Sequence, residues 1–173
     1  MTKGFSRIKL FLAVFLIAGL LIVLIKLSIG AVMVRGSSME PNFHNGQSFY
    51  VNKLIYRFQD PKRGDIIVFR DYRNPNSTSF KRVIGVPKDE VKIENGKVYL
   101  NMAELKEPYL RNYDTTTIFQ ENFMKEGVPV SVQDNNYFVL GDNRPNSSDS
   151  REYGFVSKDN IIGKIWILTS SKS

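Results

Sequence analysis

The sequence predicts a mainly β domain carried behind a single N-terminal transmembrane helix. Three observations predict it. The sixteen residues from Leu10 to Ile25 are apolar or glycine without a break. Beyond Val34 this run gives way to short alternating stretches separated by turn residues. Outside the first 34 residues no stretch sustains the spacing of an amphipathic helix. Several short strands at close spacing point to a barrel or sandwich.

Composition narrows the function. The 173 residues hold one domain with an appendage, and 42% hydrophobic residues suffice to fill a core. Cysteine is absent, which excludes disulfides, thiol nucleophiles and cysteine-ligated metals. His44 is the sole histidine, so a multi-histidine zinc site is excluded too. The net charge of +7 suggests nucleic acid until it is located. Lys3, Arg7, Lys9 and Lys26 supply +4 within residues 1–34, which contain no acid. Residues 35–173 carry 20 basic and 17 acidic side chains, so nucleic acid is not an expected partner.

The apolar run resumes after Lys26 and reaches Val34. A span needs about 20 apolar residues, and Lys26 can snorkel toward the headgroups. Lys3, Arg7 and Lys9 ahead of the run predict a cytoplasmic N-terminus. The expected organisation is a cytoplasmic tail over 1–9, a transmembrane signal anchor over 10–34 and an extracytoplasmic domain over 35–173. A cleaved signal peptide competes, because Ser28, Gly30 and Ala31 offer small residues for processing. All-round apolarity argues against a buried core helix.

Eight strands are expected: Gln47–Asn52, Asp65–Arg70, Phe80–Val86, Val91–Glu94, Lys97–Leu100, Val128–Val132, Tyr137–Leu140 and Ile161–Leu168. Asn95-Gly96 between two of them suits a two-residue type I′ turn. Pro61–Gly64 and Val86–Asp89 read as loops. Asn101–Gly127 is the least regular stretch.

Four segments can carry chemistry: Gly36-Ser37-Ser38-Met39-Glu40-Pro41, Gly64–Phe69, Lys81–Gly85 and the polar loop Gly141–Arg151. A serine needs a base to become a nucleophile at neutral pH. His44 lies six residues after Ser38 in a polar turn and is a weak candidate. Lysine serves if burial disfavours its charged form. Alternation could turn Lys81 inward and Arg82 outward, although composition alone favours an exposed edge that discourages aggregation.

In order and spacing, these segments resemble the boxes of type I signal peptidases, membrane-bound Ser–Lys proteases of exported proteins. Ser38-Met39-Glu40-Pro41 matches a Ser-Met-x-Pro box just after an anchor. Gly64–Phe69 nearly matches Gly-Asp-Ile-Val-Val-Phe. Lys81–Gly85 and Gly141–Arg151 match their boxes completely, and Glu107-Pro108-Tyr109-Leu110 is also similar to family members. The resemblance covers nearly the whole chain, and the short length looks like the Gram-positive branch.

The resemblance implies roles. Ser38 would attack the scissile carbonyl, and Lys81, neutral and buried, would relay the proton. Ser147 would hydrogen-bond the lysine amine and aim it, as a carboxylate does in a Ser–His–Asp triad. Asp149 and Arg151 would pair to hold the polar loop, with Asp142 in support. Met39 would lie near a specificity cleft that accepts small residues at the −1 and −3 positions. Gly36, Ser37 and Pro41 would border the oxyanion and substrate region, with the Ser38 N–H as one donor. The implied partners are signal-peptide-bearing preproteins and membrane lipid, with no metal or organic cofactor, at the plasma membrane.

This chain departs from the family pattern at three places. Asn42-Phe43 stands where threonine and leucine are usual, and Lys88 replaces a glycine. Gly36 occupies a position where some members carry a hydroxyl. These departures motivate an alternative from another class, a non-catalytic assembly or chaperone factor such as one for pilus subunits. A LexA-like self-cleaving repressor would begin with a soluble DNA-binding domain, which an apolar helix does not supply.

Overall fold

A computed structural model describes residues 2–71, 74–111, 115–118 and 123–166. Helix α1 runs Thr2–Ser28, unbroken by proline. It exposes a nearly continuous apolar surface that includes Phe11, Phe15, Leu16 and Ile22. Among the described residues no helix is long and apolar enough to cross a membrane. The expected anchor lies partly on side chains outside those described, at positions 10, 24, 25 and 27.

The expected span to Val34 needs one correction. The helix ends at Ser28, and Ile29–Met33 form strand β1, antiparallel to β2 (Ser48–Asn52) with Met33 opposite Ser48. Val32 and Val34 turn to the protein core, where Val34 is 3% exposed. Alternation in Gly30-Ala31-Val32-Met33-Val34 suits a half-buried strand once core partners are present.

The remaining strands are β3 (Ile66–Asp71), β4 (Asn74–Gly85), β5 (Glu90–Glu94), β6 (Lys97–Leu100), β7 (Ala103–Glu104), β8 (Val130–Ser131), β9 (Asn136–Leu140), β10 (Val156–Ser157) and β11 (Ile161–Trp166). Among the described residues they form two antiparallel sheets. One has the order β1-β2-β11-β3-β4-β9-β10, the other β7-β6-β5-β8. The chain is therefore mainly β, as expected. Single-turn helices α2 (Ile55–Phe58) and α3 (Ser150–Tyr153) are the other α-helical pieces described. Strands β1, β7 and β10 escaped the sequence reading, the last two because they are only two residues long. Leu168, the expected end of the last strand, lies outside the described residues.

Local chemistry accounts for the clearest elements. Asn95 and Gly96 both have positive φ, 53° and 75°, which closes the β5–β6 hairpin with Glu94 opposite Lys97. Strand β3 is apolar on both faces because each face meets a different cluster. Ile66 and Val68 join Val34, Met39, Phe43, Val51, Phe80 and Ile165, while Ile67 and Phe69 join Tyr56, Val83, Tyr137, Val139 and Val156. A third cluster, around Val91, Ile93, Val98, Phe138 and Leu140, unites the two sheets.

Two adjacencies bring the site together. Strand β4 pairs with β9, Arg82 opposite Leu140, so the Lys81 segment lies beside the start of the Gly141–Arg151 loop. The β1–β2 connection carries Ser38, and Asn143 N–H donates to the Ser38 carbonyl at 3.0 Å.

Candidate active site

Ser38 sits in a tight turn, half-buried, with Glu40 N–H donating to the Ser37 carbonyl and Phe43 N–H to that of Met39. Lys81 Nζ donates to Ser38 Oγ at 2.8 Å. Lys81 is 5% exposed, opposite Ile67 across the β3–β4 ladder. The amine is thus largely withdrawn from water where it meets the hydroxyl. His44 is exposed in the same loop, and Lys81 is the residue that meets the hydroxyl.

The Gly141–Arg151 loop closes around the other side of Ser38. Its framework is a buried ion pair, with Arg151 Nε and Nη2 donating to the two Asp149 oxygens at 2.8 Å each. Asp149 also accepts from Gly141 N–H at 3.0 Å and caps α3 by accepting from Arg151 N–H. Arg151 Nη2 further reaches the carbonyls of Arg144 and Ser147 at 2.8 and 3.1 Å. Two-point carboxylate–guanidinium pairing fixes angle as well as distance. Arg151 thus ties the Arg144, Ser147 and Asp149 parts of the loop together.

Gly141 packs closely against Ser147 and the Ser38 main chain. A Cβ there would stand 2.2 Å from Ser147 Oγ and 2.5 Å from the Ser38 carbonyl oxygen. Only glycine admits that approach. Next along, Asp142 is fully buried and accepts from Arg82 Nε at 2.7 Å and Nη2 at 2.6 Å.

A family model described as signal peptidase, peptidase S26, matches residues 7–169. This chain belongs to that family. It is 37% identical over 139 residues to a probable signal peptidase I-2 of Synechocystis, covering 78% of this chain and 60% of the relative. It is also 37% identical over 142 residues to signal peptidase IB of Staphylococcus aureus, covering 76% of this chain and 73% of the relative. A crystal structure of a signal peptidase I from Enterococcus faecalis aligns with TM-score 0.50 and 33% identity, covering 61% of this chain and 97% of that one. A serine peptidase is the class these relatives support, and a non-catalytic assembly factor is not favoured.

Two site residues, Ser147 and Met39, sit otherwise than the signal peptidase resemblance implies. Ser147 Oγ is buried beside Gly141 without a hydrogen-bond partner, so the expected bond to the Lys81 amine is not made. Met39 is a core residue, 1% exposed among Val34, Phe43 and Phe80, instead of cleft lining. Its apolar side chain fills the space under the turn and so holds Ser38 up. Gly36, with φ of 90°, donates its N–H to Asn45 Oδ1 at 2.9 Å, which occupies that donor. Ser37 is exposed, its carbonyl accepting from Asn143 Nδ2 at 3.0 Å, and Pro41 follows a cis peptide.

Other residues enter that sequence reasoning left aside. Arg82 was expected to face outward but grips Asp142. Asn42, a departure from the family pattern, donates to Asp142 Oδ2 at 2.8 Å and to the Tyr109 carbonyl at 2.9 Å. Arg144, fully buried, pairs with Glu107. The sequence signal for Arg144 and Glu107 was present in the polar loop and in Glu107–Leu110, but nothing local tied one to the other. Among the described residues no cluster of His, Asp and Glu suits a metal ion.

Proposed function

We propose that Ser38 is the nucleophile and Lys81 the general base of a membrane-anchored endopeptidase that removes N-terminal signal peptides from exported preproteins. The 2.8 Å contact between Lys81 Nζ and Ser38 Oγ carries this reading. Ser38 Oγ attacks the scissile carbonyl while its proton passes to neutral Lys81. The Ser38 N–H meets the oxyanion of the tetrahedral intermediate. Collapse breaks the peptide bond, and the Lys81 ammonium returns its proton to the leaving amine. Water then hydrolyses the acyl-enzyme with Lys81 again as base, regenerating Ser38. Ser147, whose buried hydroxyl has no hydrogen-bond partner, orients the Lys81 amine in this reading. Asp142, Asp149 and Arg151 hold the loop that carries it.

A groove of about 330 Å³ lined by Val32, Met33, Arg35, Ser77 and Thr78 supports an extended substrate alongside these residues. It lies beside β1, which leads to Ser38, and β4, which carries Lys81.

Helix α1 is the membrane anchor in this reading. Its 27 residues reach about 40 Å at 1.5 Å per residue, and its exposed apolar side chains are left uncovered by the other described residues. Lys3, Arg7 and Lys9 keep the N-terminus cytoplasmic in a single-pass plasma-membrane protein. Ser38 follows the helix by ten residues, which holds the site near the outer membrane face where cleavage sites emerge. Shared tethering raises the effective concentration of substrate.

The test is cleavage of a preprotein in detergent micelles by wild type, Ser38→Ala and Lys81→Ala, with product ends read by mass spectrometry. Cleavage after a small residue, lost in both variants, supports the dyad. Cleavage that survives Ser38→Ala overturns it.

A further inference from the structure

The stretch after β7 makes no contribution to the proton relay, yet its described residues grip the active-site loop from outside. Arg144 is fully buried and donates through Nη2 to Glu107 Oε1 at 2.5 Å and through Nη1 to Glu107 Oε2 at 2.9 Å. Its third nitrogen, Nε, donates to the Gly141 carbonyl at 3.0 Å. Gly141 is the residue packed against Ser147 Oγ and the Ser38 carbonyl. One guanidinium therefore joins Glu107 to the glycine that packs against Ser147 and the Ser38 carbonyl.

Tyr109 makes a second connection. Its hydroxyl donates to Glu107 Oε1 at 2.7 Å, fixing the carboxylate that faces Arg144. Its ring lies 3.9 Å below the Arg82 guanidinium carbon, and its carbonyl accepts from Asn42 Nδ2 at 2.9 Å. Arg82 and Asn42 both bind Asp142. Farther on, the Thr117 carbonyl accepts from Arg151 Nη1 at 2.8 Å. The stretch thus touches Arg82, Arg144, Arg151 and the Ser38 turn.

Burial separates a brace from a mere connector. The Glu107 side chain is 9% exposed and that of Arg144 is 0%, so both ions have left water. A connector has no need to desolvate a carboxylate and a guanidinium. Burial works against the Arg144 charge, and Glu107, together with Tyr109 and Asp149, more than offsets it. Without Glu107 the guanidinium would be a buried charge lacking its carboxylate, one hydrogen bond from Gly141.

We infer that Glu107 and Tyr109 are positioning residues: they brace Arg144 and Arg82 so that the Gly141–Ser147 segment is held in register with Ser38 and Lys81. The inference rests on the Ser38–Lys81 reading. It assigns Glu107 and Tyr109 no contact with substrate and makes their effect pass through the loop.

The test uses the full chain in detergent micelles with a preprotein substrate, measuring kcat and KM separately. Glu107→Gln keeps the shape and one acceptor but removes the charge. A misplacement of the order of 1 Å in an active site costs up to about 100-fold, so kcat is expected to fall about 10- to 100-fold with KM within about twofold. Tyr109→Phe, which spares the Glu107–Arg144 pair, is expected to lower kcat by a smaller factor. Lys97→Ala, which breaks the exposed pair with Glu104 in the neighbouring sheet, is the control with unchanged kinetics. In a Ser147→Ala background the effect of Glu107→Gln should shrink, because both changes act on one loop.

Wild-type kcat in Glu107→Gln overturns the inference, as does a rise in KM alone. Full multiplication of the Glu107→Gln and Ser147→Ala effects overturns it too. If Glu107→Gln does not fold by thermal melting, Tyr109→Phe decides: unchanged kcat there is fatal to the brace. Activity in Ser38→Ala would instead sink the dyad reading, a result distinguishable from these.

Discussion

Asn42 donates its side-chain amide to Asp142 Oδ2 at 2.8 Å, tying the turn that carries Ser38 to the loop that carries Ser147. The two residues are 100 positions apart. The same amide reaches the Tyr109 carbonyl, so one side chain joins three segments. Asn42→Ala should cost about 1 kcal/mol of stability, the net worth of a hydrogen bond, because the residue is exposed and Asp142 keeps Arg82. Loosened registration of the two loops should lower kcat/KM about tenfold. Thermal melts and steady-state kinetics on one preparation separate the two effects.

Ser147 offers the opposite separation. Its buried hydroxyl has no partner, an arrangement that costs about 1–3 kcal/mol of desolvation. Ser147→Ala should therefore leave stability unchanged or raise it by about 1 kcal/mol. Activity should fall about 100-fold or more if the hydroxyl orients Lys81 during turnover. A melting temperature that drops sharply would mean that the hydroxyl is bonded in the free enzyme.

Lys88 has φ of 76°, in the left-handed region, at the position where the family resemblance leads one to expect glycine. A side chain there costs about 1–2 kcal/mol against a right-handed conformation. Lys88→Gly should stabilise the protein by about 1 kcal/mol, less the added entropy of the unfolded chain. Lys88 is remote from the dyad in its β-turn, and kcat should not change. Chemical denaturation with a fixed m-value checks the gain.

Asp89, the next residue, governs part of the acid limb of stability. Burial alone would push its carboxyl up, but Arg63, the Val86 N–H and Asn101 Nδ2 together hold it below the ordinary carboxylate value. Its stabilising contribution is then fully present above about pH 3.9, the unfolded value. It disappears as pH falls from there through the lower folded value. Asp89→Asn should cost about 1–3 kcal/mol at neutral pH and flatten the stability curve below about pH 3.9. Urea titrations across that range give the slope directly, and an unchanged slope would count against the assignment.

Some parts of this molecule could be read from neighbouring residues alone. The β5–β6 hairpin follows from Asn95-Gly96, because left-handed φ values are a local property. Helix α1 follows from an apolar stretch without proline. The apolar run of β3 predicts a strand, and its two faces meet separate core clusters. The end of the helix was not legible, because Ile29–Val34 is apolar enough for lipid and alternating enough for a sheet. Pairing with β2 and the core contacts of Val34 settled it.

For the site, the sequence by itself determined which residue types stand ready: a serine after the apolar run, a lysine within a strand, a polar loop with glycine at its start. Their box order also determined the family. Only the tertiary structure decided that Lys81 Nζ meets Ser38 Oγ across 43 residues, that Arg82 turns to Asp142, and that Glu107 holds Arg144. Side-chain partners of this kind depend on strand register and on the packing of loops from distant parts of the chain. Local periodicity specifies which face a residue presents, but not what waits on the other side.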